Sequence, residues 1–147
     1  MSIHSNSFPD ELNLNEAEYL YISTSLIIGA GKGLFTAISI HKNELISIFK
    51  GELLHRKSAS NRIKSKEDNF FMNLPNGKIL DAKYTDCFAK YANDAKGVQS
   101  SSYKNNALIT VNHKNQICLL AKVNIKAGSE IFCSYGKAYW EHQLTLQ

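Results

Sequence analysis

The sequence predicts a β-rich domain, mainly strands with brief helices folded into small sheets. Three observations carry this. Apolar and polar residues alternate over short stretches such as YLYISTS (residues 19–25) and the two arms of TAISIHKNELISIFKG (residues 36–51), the period-2 pattern of a half-buried strand. Turn signals recur about every eight to twelve residues, among them PNG at 75–77, NHKN at 112–115 and KAGSE at 126–130. No repeat or heptad is evident, and the helix-compatible stretches are brief.

Taken in order, residues 1–18 are polar, carry Pro9 and show no periodicity, so they read as a loosely ordered lead-in. YLYISTS reads as a strand. GAGKGLF (29–35) is a glycine-rich loop, and TAISIHKNELISIFKG (36–51) reads as a hairpin around the polar HKNE. Residues 55–67 have a helix-compatible, polar composition, and NFFMNLPNGKILDA (69–82) places PNG between two strands. KYTDCFAKYANDAKG (83–97) is mixed and fits a helical turn, and 100–106 is a loop. ALITVNHKNQICLLAKVNI (107–125) reads as two strands around NHKN, IFCSYG (131–136) as a last short strand, and residues 137–147 as a closing amphipathic helix.

At 147 residues, with 44% hydrophobic and 20% charged residues, the chain has the size and composition of one folded domain. Its apolar runs fall far short of the ~20 residues that span a bilayer, and the start shows neither the basic nor the apolar segment of a secretory signal. Cys87, Cys118 and Cys133 are odd in number and widely spaced, with no CxxC pair. That reads as reduced thiols in an intracellular protein, without a metal site. The net charge is +4, and much of the excess lies in HRKSASNRIKSK (55–66), which holds no acid. Such a run is either a solvated face or a weak contact for phosphate-rich partners such as nucleic acid.

Three constellations have the residue types for chemistry. Alternate glycines in GAGKGLF let the backbone approach a ligand, but the third glycine comes too early for a dinucleotide fingerprint, and strand follows where both that motif and a Walker loop need helix. Asn93, between Ala92 and Asp94, offers donors and an acceptor for a zwitterion, or merely shapes a turn. EIFCSYGKAYW (130–140) gathers four of the chain's fifteen aromatic residues around Gly136. Those rings either close the core or wall a pocket that presents the Tyr135 hydroxyl. Nothing suggests a Ser-His-Asp or Cys-His nucleophile.

Each piece is weak alone, but their order resembles the SET-domain family of protein lysine methyltransferases. The chain reads GKGLF, then FKGE at 49–52, LDAKYTDCFAKYAND at 80–94, NNA at 105–107 and AGSEIFCSYGKAYW at 127–140. The likeness runs from about Tyr19 to Trp140. It implies a SET-domain fold of several small sheets with a pseudoknot, in which the YAND segment and the last strand thread together. It implies S-adenosylmethionine as cofactor, held by Ala30, Gly31, Lys32, Asn93 and Asp94, with Tyr135 as catalytic tyrosine. Trp140 or Tyr139 would cover the adenine, with no zinc-binding tail after the domain. Phe71, Tyr91, Cys133 and Tyr139 would wall the substrate lysine channel. The domain would occupy 19–136, closed by 137–147.

The implied activity is methyl transfer from S-adenosylmethionine to a protein lysine, in a histone or another basic tail, in the nucleus if the source is eukaryotic or viral, and otherwise in the cytoplasm or as an exported effector. The sequence departs from the family pattern at Asp94 (usually His), Ala95 (usually Ser) and Ser134 (usually Asp). Cys133, smaller than the usual ring, leaves room for more than one methyl. These departures also fit a SET-fold module that binds peptide, cofactor or nucleosome without turnover.

Overall fold

Strand β9 (Ile117–Ala121) is buried at all five positions, which is why ICLLA is apolar without alternation. It lies between β8 (Ala107–Val111) and β4 (Glu44–Ile48), antiparallel to both, and β1 (Asp10–Glu11) adds a parallel edge to β4. The structure is a computed structural model that describes residues 10–11, 14–74, 76–97 and 101–136. The expected closing helix, with Tyr139 and Trp140, lies outside these residues.

A second sheet orders β10 (Glu130–Ile131), β3 (Lys32–Thr36) and β2 (Leu20–Thr24), with β3 central. The third orders β5 (Glu52–Leu54), β7 (Ile79–Asp81) and β6 (Phe71–Asn73). Short helices α1 (Glu16–Tyr19) and α2 (Arg56–Lys64) and a 3-10 turn at Ala89–Tyr91 join them. This is the β-rich architecture of small sheets that the sequence predicts.

Two expectations need correction. The stretch 36–51 is not a hairpin: β3 pairs with β2 and β10, whereas β4 pairs with β1 and β9. Between them Ile40 exchanges both backbone hydrogen bonds with Ile125. Alternation says which face of a segment is buried, and does not name the strand that pairs with it. The expected lead-in also holds β1 at Asp10–Glu11 and most of α1, Glu16–Tyr19. Glu16 on α1 accepts hydrogen bonds from the Ser47 hydroxyl and the Ile48 amide, tying the segment to β4.

Threading of the chain near its end positions everything that follows. Asn93 forms a parallel bridge with Phe132, and Ala107 forms one with Cys133. The Phe132 carbonyl accepts the Asn106 and Ala107 amides, and the Cys133 amide donates to the Asn93 carbonyl. Residues 132–133 thus run between two segments that both lie 25 or more residues earlier in the chain. Elsewhere, Arg62 of α2 pairs with the fully buried Asp81 carboxylate at 2.6 Å and with Glu52 at 2.9 Å, clamping the helix to the third sheet.

Burial raises the Cys118 thiol to about 12 and also raises Cys133 and the Tyr19 phenol, the latter two helped by nearby carboxylates. An acid whose folded pKa exceeds its unfolded one stabilises the fold below the unfolded value, and that stability is lost as pH rises. Stability to urea is therefore expected to be flat near neutrality and to fall above about pH 9, by about 1.4 kcal/mol per pH unit for each group that the unfolded chain has released. Urea midpoints that stay constant up to about pH 10.5 would refute this reading of the core, whose thresholds are about those of free thiols and phenols.

Candidate active site

Four segments converge on one small cavity. The glycine loop supplies Ala30 and Lys32, and the 3-10 turn and the residues after it supply Lys90, Tyr91 and Asn93. Asn69 and Phe70 come from the approach to β6, and Tyr135 from the end of the chain's last described segment. The cavity volume is about 230 Å³. A larger one, about 730 Å³, shares Lys32 and Tyr91 but reaches neither Asn93 nor Tyr135. The smaller cavity holds the groups with chemistry.

Glu130 organises this site from below. Its side chain is almost fully buried, with the residue 2% exposed, and its carboxylate accepts the Ser25 hydroxyl (2.7 Å), the Leu26 amide (2.7 Å) and the Asn93 side-chain amide (3.3 Å). One carboxylate thereby holds both the strand end that leads into the glycine loop and the asparagine opposite. The fit leaves no room at Gly33, where a Cβ would lie 2.2 Å from Glu130 Oε1. Gly31 has φ of +74°, a conformation that turns the loop and strains any side-chain-bearing residue.

The Asn93 amide nitrogen also donates to the Lys32 carbonyl at 2.9 Å, so protein acceptors occupy its donor end. Its carbonyl oxygen is the end suited to accept from a cationic amine. Lys90 donates from Nζ to the carbonyls of Thr85 (2.8 Å) and Lys83 (3.3 Å), and its ammonium lies 5.5 Å from the centre of the Tyr91 ring. With Lys32 it gives the cavity two cations, suited to a carboxylate ligand.

Tyr135 is fixed at both ends. Its hydroxyl donates to the Ala92 carbonyl at 2.5 Å, and its backbone amide donates to Asp94 Oδ2 at 2.9 Å. The other oxygen of Asp94 accepts the Lys96 amide and the side chain of Asn105, each at 3.0 Å. The carboxylate that stands where the family pattern has histidine therefore holds the tyrosine's backbone. Asn106 completes the frame, its side chain donating to the Glu130 carbonyl and accepting from the Phe132 amide.

The cavity thus brings together Ala30, Lys32, Tyr91, Asn93 and Tyr135, with Gly31 shaping the loop and Asp94 buried behind Tyr135. It does not include Phe71 or Cys133. Phe70, one residue earlier, forms the wall: β6 begins at Phe71, and its next residue, Met72, fills the core. Cys133 is fully buried in the core cluster against which Tyr135 packs. Cys133→Phe is accordingly expected to overpack the core and cost about 1–3 kcal/mol; an unchanged melting temperature would contradict that placement. Glu130, Lys90 and Phe70 escape the sequence reading. Only Glu130 leaves a signal, a lone acid at the head of an apolar strand.

Residues 31–136 match the SET domain family. The chain is 32% identical over 109 residues to histone-lysine N-methyltransferase EZ1 of Zea mays, and 30% identical over 109 residues to histone-lysine N-methyltransferase CLF of Oryza sativa subsp. japonica. Each match covers 72% of this chain but only 11% and 12%, respectively, of the relative, so the chain spans about one-ninth of those proteins. Among solved structures, an apo PRC2 complex with two mutations in Ezh2 superposes with a TM-score of 0.66 at 24% identity, covering 80% of this chain and 15% of that one. That likeness concerns the fold.

Proposed function

We propose, on the premise that this chain belongs to the SET-domain family, that it transfers a methyl group from S-adenosylmethionine to a lysine side chain of a protein. The observation that carries the reading is the meeting of Ala30, Lys32, Asn93 and Tyr135 at one cavity, from segments up to 105 residues apart in the chain.

The residues present fit the cofactor. Lys32 and Lys90 suit its carboxylate and the Asn93 carbonyl oxygen suits its ammonium, while the glycine loop offers open backbone at Ala30. When bound, it supplies a methyl group made electrophilic by a sulfonium. The chain's own part is to prepare the acceptor. A lysine amine attacks only when neutral, and its unperturbed pKa is about 10.4. Phe70, Tyr91 and Tyr135 wall the cavity with rings, and Lys32 and Lys90 bring positive charge; desolvation and repulsion both lower that pKa. Tyr135, held by Ala92 and Asp94, presents a fixed hydroxyl oxygen that orients the incoming amine.

A histone tail is the substrate favoured by the relatives' names, and work on chromatin would place the protein in a nucleus. The face of α2 carrying Arg56, Lys57 and Lys64 is exposed and supports a weak contact with nucleic acid. A binding module without turnover is the competing reading. Asp94 was its main motive, yet that residue here braces the tyrosine. The deciding experiment is transfer of labelled methyl from S-adenosylmethionine to histones and basic peptides. Incorporation into lysine is the expected result. Cofactor binding by calorimetry with no incorporation into any of them would favour the module instead.

A further inference from the structure

We infer that a second cavity, beside the active site and separate from it, binds the phosphate backbone of a single-stranded nucleic acid. The cavity measures about 520 Å³ and is lined by Lys96, Lys104 and Lys122, with Asn105 and Ser134 adding polar groups. It shares no residue with the cavity that contains Tyr135. No carboxylate appears among its described lining residues, and none of the three lysines forms an ion pair with a described residue.

Three lysines lining one concavity concentrate positive charge there, and an anion is attracted to it. The three come from separate places in the chain: Lys96 after the Asn93 bridge, Lys104 before β8 and Lys122 after β9. Their grouping is a product of the threading and leaves no charge run in the sequence. The lysines act as point charges suited to phosphate oxygens.

Nucleic acid is favoured over an acidic peptide by the neighbouring ring. Tyr103, adjacent to Lys104, is 39% exposed and stacks on Phe132 with ring centres 5.5 Å apart. A part-exposed ring backed by another ring and adjacent in the chain to a basic residue is the combination on which single-strand bases stack. The cavity is also wired to the active site: Asn105 in its wall bonds Asp94, which holds the Tyr135 amide, and Ser134 directly precedes Tyr135.

The test is fluorescence anisotropy of a labelled single-stranded oligonucleotide over a salt series, with no methyl donor present, so it stands whether or not the chain transfers methyl groups. Lys96→Gln/Lys104→Gln/Lys122→Gln is expected to weaken binding at least about tenfold and to flatten the salt slope by about 0.7 for each phosphate that is no longer neutralised. Arg56→Gln/Lys57→Gln/Lys64→Gln removes the same charge from α2 and is expected to weaken binding less. All six side chains lie on exposed residues, and matching thermal melts check that the fold is kept. Equal effects of the two variants would reduce the binding to net charge and overturn the inference. So would unchanged binding by the first variant, or displacement of the oligonucleotide by polyglutamate at comparable concentration, which would point to an acidic protein.

Discussion

Tyr135→Phe is expected to lower kcat for the proposed methyl transfer by about 10²–10³-fold, the loss expected when one preorganised polar group is removed from a reacting centre. The substitution deletes a single oxygen and keeps the ring that forms part of the cavity wall. Removing the hydrogen bond to the Ala92 carbonyl costs stability of about 1 kcal/mol, so the variant stays folded. The backbone amide of residue 135 still reaches Asp94, and Lys32, Lys90 and Asn93 still line the cavity. Cofactor affinity measured by calorimetry should accordingly change little while turnover collapses. A variant that keeps more than a third of wild-type kcat would remove Tyr135 from the chemistry, because a fixed oxygen at the amine is worth far more than that.

How far the sequence reveals this site depends on the kind of contact. Tyr135, Asn93, Ala30 and Lys32 are legible because short motifs carry them in a fixed order, and order survives when single residues drift. The supports beneath them are not legible. Glu130 sits in a strand of two residues, and its partners Ser25, Leu26 and Asn93 become neighbours only once β10 pairs with β3 and the 93 segment bridges Phe132. Asp94 looks like a loss when set against the family's histidine, since sequence cannot show that its carboxylate reaches the Tyr135 amide. Phe70 and Phe71 differ by one position, and the sequence does not show that a turn ends at Phe70 and a strand begins at Phe71. The same limit explains the missed crossover between β3 and β4: TAISIHKNELISIF alternates correctly, but pairing partners some 70–95 residues away decide where each half goes.

Glu130→Ala is expected to produce the largest loss of stability, about 3–5 kcal/mol, large enough to unfold a marginal domain. Its carboxylate satisfies Ser25, Leu26 and Asn93 together, and truncation orphans donors in a part-buried site at about 1–3 kcal/mol for each. The cavity left behind adds to that cost. Gly33→Ala attacks the same point from the other side, since its methyl would lie 2.2 Å from Glu130 Oε1 and 3.3 Å from Ser25 Cα. Alone it should also destabilise, by displacing the carboxylate from its donors. The two changes cannot add. Once Glu130 is truncated, the space that the alanine methyl needs is partly vacant, so Gly33→Ala in the Glu130→Ala background should cost markedly less than in the wild type. A double-mutant cycle on urea midpoints reads this as a coupling of about 1 kcal/mol or more between residues in contact. Cofactor affinity offers an independent check, because displacing Glu130 releases both the lead-in to the glycine loop and Asn93, weakening binding even at temperatures where the variants remain folded. Additive losses would mean that Glu130 and Gly33 stabilise the domain separately, and the carboxylate could then no longer be regarded as the part that joins the loop to Asn93.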